Sequence, residues 1–127
     1  MAKIRISYYG VWIMDQWPDT MYRAVTLRSE ALFKNKHVLP VAGWIAECKA
    51  DTISAADVCR GLGGRVAPNK VLEVLVRLTQ GGVLLELPFP GRPHPRLFQP
   101  RLSSFWEAAA EFASEARGIE PKISRNA

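Results

Sequence analysis

The run PNKVLEVLVRLTQGG, residues 68–82, restricts this chain more than any other stretch. Set on a helix at about 100° per residue, Asn69, Lys70, Glu73, Arg77 and Gln80 share an arc of roughly 100°. Val71, Leu72, Val74, Leu75, Val76 and Leu78 take the rest of the wheel. A helix apolar around most of its circumference must be wedged into a core, with its narrow polar strip turned to something else. Pro68 suits the first helical position, where a fixed φ and a missing N–H cost nothing. Gly81 and Gly82 end the run.

The flanking residues set the order of elements. Upstream, residues 37–50 read as a helix with Val38, Val41, Ala42, Trp44, Ile45 and Cys48 on one broad face. Pro40 fits only in its first turn, and Trp44 is the natural core anchor for a cluster of three helices. A short second helix is expected from Ser54, because Ser54 and Asp57 have the spacing of a capping box. Val58 and Leu62 would face the core, and Gly61, Gly63 and Gly64 would stop that helix, since glycine readily takes a positive φ. After the polar-striped helix, residues 83–87 read as a strand. Residues 88–95 hold too many prolines to continue it and form a loop carrying Arg92 and His94. Residues 96–99 are the expected return strand.

This succession resembles the winged helix-turn-helix domains of the MarR, PadR or ArsR kind. The residues carrying the resemblance are Val71, Leu78, Gly82, Val83 and Leu84, which link a recognition helix to a wing in those proteins. It spans residues 37–99, and departs from the usual pattern in a glycine-rich turn and a proline-rich wing. The resemblance implies an α+β fold: a three-helix core plus a β-wing at residues 37–101. It implies double-stranded DNA as the partner, with residues 67–80 in the major groove and residues 88–95 on the backbone or in the minor groove. A homodimer reading a palindrome would follow.

Residues outside that domain are less regular. Residues 1–36 read as a strand or hairpin extension, on the alternation in residues 3–8. Within it, Met21, Val25, Arg28 and Leu32 would line a helix, whereas the β-branched pair Val25 and Thr26 favours a strand; the strand reading, through about Arg28, is adopted. Residues 102–118 read as an amphipathic C-terminal helix with a capping box from Ser104 to Glu107. Its stripe includes Leu102, Phe105, Trp106 and Phe112, which need a partner surface: the N-terminal segment or a second copy of the chain. Those four are the candidate dimer contacts. Residues 119–127 read as a polar tail.

Charge agrees with a nucleic-acid partner. The 127 residues carry a net charge of +5, and residues 60–101 alone carry +5. Such an excess, placed on a recognition helix and wing, is the footprint of a surface facing phosphates. Arginine and lysine suit guanine, and asparagine and glutamine suit adenine. Asn69, Lys70, Glu73 and Arg77 therefore become candidate base contacts. Arg65 in the turn is a candidate backbone contact, with Arg92, His94 and Arg96 on or beside the wing. The competing reading of Glu73 and Arg77 is an i, i+4 ion pair on a solvated face.

Other classes are poorly served. The chain has two histidines, His37 and His94, and lacks a phosphate-cradling glycine motif, a carboxylate pair and a nucleophile motif, so it does not read as an enzyme and implies no cofactor. Cys48 and Cys59 read as two buried thiols of a cytoplasmic protein, at a spacing that fits no standard zinc pattern. The first residues lack an apolar leader, and no apolar run approaches the roughly 20 residues of a membrane span. Two alternatives stay open. One is a winged helix used for protein contact, suggested by Tyr8, Tyr9, Trp12, Trp17, Phe105 and Trp106. The other is a replication or partition protein of a mobile element.

Overall fold

A helix that is apolar almost all round has little face to give to water, and the chain is built around one. Helix α2 (Val38–Cys48) buries Val38, Leu39, Pro40, Val41, Ala42, Gly43, Trp44, Ile45 and Cys48. The computed structural model describes residues 17–118, and two short strands before them as backbone alone. In chain order the elements are β1 (Ile4–Ile6), β2 (Trp12–Met14), α1 (Asp19–Phe33), α2, α3 (Ala55–Gly61), α4 (Pro68–Gln80), β3 (Leu84–Glu86), β4 (Phe98–Pro100) and α5 (Ser104–Ala116). Helices α1, α3, α4 and α5 all pack on α2. The tail expected at residues 119–127 lies outside the described residues, as do the side chains of Tyr8, Tyr9 and Trp12.

The strand expected around residues 21–28 is a helix instead. β1 and β2 do pair as an antiparallel hairpin, with Arg5 opposite Ile13, but the extension then turns helical at Asp19. The decisive signal was the four-residue spacing: Val25 and Ser29 are both fully buried, one turn apart on α1. The β-branched pair is accommodated because Val25 packs in the core and the Thr26 hydroxyl donates to the carbonyl of Arg23 at 2.7 Å. Tertiary burial outweighs a β-propensity that spans only about 1 kcal/mol. Ser29 also fixes the corner that follows. Its hydroxyl donates to the Asn35 carbonyl at 2.5 Å and accepts from the Leu39 amide at 2.9 Å.

The helix-turn-helix forms as its residues dictate. Ser54 accepts from the Asp57 amide at 3.2 Å, and the Asp57 carboxylate accepts from the Ser54 amide at 3.0 Å, closing the capping box. Gly63 and Gly64 turn the chain at φ of 71° and 72°. Gly61 has a different role from the one expected: it is the last residue of α3, and a Cβ there would lie 2.1 Å from the Trp44 ring. Its missing side chain lets α3 close onto that indole.

The wing is an antiparallel pair in which Leu84 faces Pro100, Leu85 faces Gln99 and Glu86 faces Phe98. Its second strand starts later than expected, at Phe98, which leaves Arg96 in the loop ahead of it. A third lane comes from the link between α2 and α3. Ile53 donates to the Phe98 carbonyl at 2.9 Å and accepts from its amide at 2.8 Å. The wing is thereby attached to the three-helix core on the side away from β3.

Helix α5 closes the structure against α2 and α1. Its N-cap is Ser103, whose hydroxyl accepts from the Phe105 amide at 3.1 Å, and the expected cap at Ser104 is the first helical residue. Gly43 makes the α2–α5 contact close, since a Cβ there would lie 2.7 Å from that of Ala113. The partner surface required by the α5 stripe is thus largely internal: Ala109 and Ala113 are buried, and Phe105, Trp106 and Phe112 pack at the edge of the same core. The Trp106 indole donates to the carbonyls of Val83 and Arg101, at 3.2 and 3.1 Å. Leu102 precedes the helix and is fully exposed.

Candidate nucleic-acid interface

Helix α4 buries Val71, Val74, Leu75 and Leu78 and exposes Asn69, Lys70, Glu73, Arg77 and Gln80. The polar strip foreseen on the helical wheel is therefore open, uncovered by any described part of the chain. Glu73 pairs with Lys70 at 3.4 Å, and not with Arg77. An exposed i, i+3 pair of that length contributes only a few tenths of a kcal/mol, so a competing anion or base edge can displace it. Among the described residues Arg77 makes no ion pair, and its guanidinium is available to an incoming acceptor.

The wing follows directly. Val83 donates its amide to the Leu78 carbonyl at 3.1 Å, so β3 begins against the last turn of α4. Arg92 and His94 are exposed on the loop. Arg96 is clasped by Glu86 through Nε–Oε2 and Nη2–Oε1 contacts, both 2.8 Å. That fork holds the Glu86 carboxyl below the usual carboxylate range and raises the Arg96 guanidinium above its own. Arg96 therefore braces the hairpin across its two arms, with its charge already answered.

Arg65 is also engaged within the chain. Its Nη2 donates to the Trp17 carbonyl at 2.6 Å and to Asp19 Oδ1 at 2.7 Å, and its Cζ lies 4.9 Å from the centre of the Tyr22 ring. Of the eight side chains singled out for DNA, six stand exposed (Asn69, Lys70, Glu73, Arg77, Arg92 and His94) and two are internal braces.

One further group lies at the α1–α2 corner. Burial first, then the charges of Lys36 and Lys70, hold the His37 imidazole below its ordinary value of 6.5. Lys36, next to it at the α1–α2 corner, is exposed. The Ser29 hydroxyl, donating to the Asn35 carbonyl, fixes that corner at the end of α1.

The cysteines stand apart from this surface. Cys48 is buried, which pushes its thiol up to about 11, and Cys59 is half-buried with its Sγ donating to the Val66 carbonyl at 3.2 Å. Among the described residues no three His, Cys, Asp or Glu side chains gather as a metal site. Nor is any described helix long and apolar enough to cross a membrane.

No known protein family's profile matches the sequence, and no curated protein sequence matches it. Solved structures do. Wild-type MarR from E. coli, in its apo form, superposes with a TM-score of 0.50 at 19% identity, over 77% of this chain and 68% of that one. The reduced form of E. coli MarR gives 0.51 with the same identity and coverage. At such low identity the likeness concerns the path of the backbone. The chain thus has the winged helix-turn-helix fold of MarR.

Proposed function

We propose that this chain binds duplex DNA in a sequence-dependent way and acts as a transcription regulator, working as a two-fold homodimer. The observation that carries the reading is the open strip on α4, which has donors and acceptors opposite a face that buries Val71, Val74, Leu75 and Leu78, and which includes Arg77, without an ion-pair partner among the described residues. In this reading Asn69 meets adenine, Arg77 and Lys70 meet guanine or phosphate, and Glu73 accepts from cytosine. The α4 N-terminus adds amide donors for a phosphate. Arg92 and His94 on the wing extend the contact along the backbone. Arg65 and Arg96 support it from within the protein. MarR, whose fold the chain shares, is a winged-helix transcription regulator, and the likeness adds support.

A domain of this size covers one half-site, which is the reason for the dimer. Leu102, fully exposed, with the outer edges of Phe105, Trp106 and Phe112, forms the proposed contact. A second reading has a specific observation behind it: Leu85, Phe89 and Leu97 on the wing are exposed apolar side chains, which suits an adaptor contacting protein. Selection of bound sequences from a random duplex pool separates the two. A regulator enriches a motif with two-fold symmetry, and an adaptor enriches nothing.

A further inference from the structure

We propose that Arg65 is a positioning residue for α4, setting the helix's direction from behind, and that it makes no phosphate contact; the inference deepens the DNA-binding reading and rests on it. The turn before α4 is intrinsically loose. Gly63 and Gly64 both take positive φ, and a side chain at Gly64 would meet nothing within 4 Å. Glycine's freedom there lets the chain change direction, but it specifies no one direction. Reading base edges requires placement to within about 0.5 Å. The buried face of α4 fixes its depth in the core, so something else must fix its heading.

Arg65 is the first residue after those glycines, and all its partners lie at the start of α1. The Trp17 carbonyl and Asp19 Oδ1 accept from its Nη2, the Tyr22 ring lies against its guanidinium, and its side chain is only 21% exposed. Reaching for a phosphate would break both hydrogen bonds and the ring contact together. The next residue, Val66, is buried, and its carbonyl accepts from Cys59, so the turn is held on two sides. The anchor is itself fixed. The Trp17 indole donates to Glu47 on α2 at 3.2 Å, and Arg117, just past α5, lies 4.7 Å over its ring. The heading of α4 is thereby referred to the α1–α2–α5 body of the molecule.

The test uses the full chain with Arg65→Ala, Asp19→Ala and the double variant. Amide exchange across residues 66–72 is measured without DNA. Binding to a selected duplex and to a random duplex is then measured across a salt series. Losing both hydrogen bonds and the ring contact predicts at least about tenfold faster exchange and at least about tenfold weaker discrimination for Arg65→Ala, with an unchanged salt slope. Asp19→Ala shows a smaller loss in the same direction, and the double variant is no worse than Arg65→Ala alone. Asp19 is 93% exposed, so that arm stands even if Arg65→Ala does not fold. Unchanged exchange in residues 66–72 overturns the proposal. So does a salt slope lowered by about one with equal loss on both duplexes, the signature of a lost phosphate contact. If the wild-type chain binds no duplex at all, the DNA reading fails separately, and the exchange arm still decides whether Arg65 orients α4.

Discussion

At the scale of single residues, what matters on this surface is which charges are already answered. Glu73 turns to Lys70, Glu86 holds Arg96, and Trp17 and Asp19 hold Arg65, while Arg77 and Arg92 face outward. Two kinds of loss are therefore expected. Arg77→Ala and Asn69→Ala each cost about 1–3 kcal/mol on the preferred sequence and little on random DNA, because base-edge contacts carry discrimination. Arg92→Ala weakens binding to every duplex alike and lowers the salt slope by about one. Anisotropy titrations on a selected and a scrambled duplex distinguish the patterns. The exposed residues of this set were legible in the sequence because helical periodicity alone puts them opposite a buried face. The fates of Arg65 and Arg96 were not, because their partners lie 48 and 10 residues away and pairing depends on how the elements meet.

Between elements, close approach is set by absent side chains. α3 lies against α2 only because Gly61 leaves room for the Trp44 ring, and α5 lies against α2 only because Gly43 leaves room for Ala113. Gly61→Ala is expected to destabilise the chain by about 1–3 kcal/mol through overpacking, even though alanine is the better helix former. Urea unfolding should show a lower midpoint at an unchanged m-value. The helices α2, α3 and α4 were legible from apolar spacing, the Ser54–Asp57 cap and Pro68. α1 is not legible from local propensity, because Val25 and Thr26 favour a strand, whereas the burial of Val25 and Ser29 in the finished core decides for a helix. In sequence Gly61 shows only as a helix stop, because glycine's conformational role is visible there and its steric role against Trp44 is not. The lane added by Ile53 likewise pairs residues 45 positions apart, beyond any local pattern.

For the whole molecule, the question is how two copies would meet. Most of the α5 stripe is used inside the chain, which leaves Leu102 and the outer edges of three aromatics for the proposed contact. Leu102→Glu should shift sedimentation towards monomer and leave thermal unfolding of the monomer within about 0.5 kcal/mol, since the side chain touches solvent alone. A chain already monomeric at tens of micromolar would refute the two-fold arrangement. The positive balance of residues 60–101 sits on the same side of the argument as the open α4 strip, and together they make one central claim: this surface meets a polyanion with a groove. Affinity of the wild-type chain for a random duplex, followed across a salt series, tests that claim most directly. The account predicts binding at low salt, with log affinity falling linearly in log salt at a slope reflecting several phosphate contacts. No binding at low salt, or an affinity indifferent to salt, would contradict it.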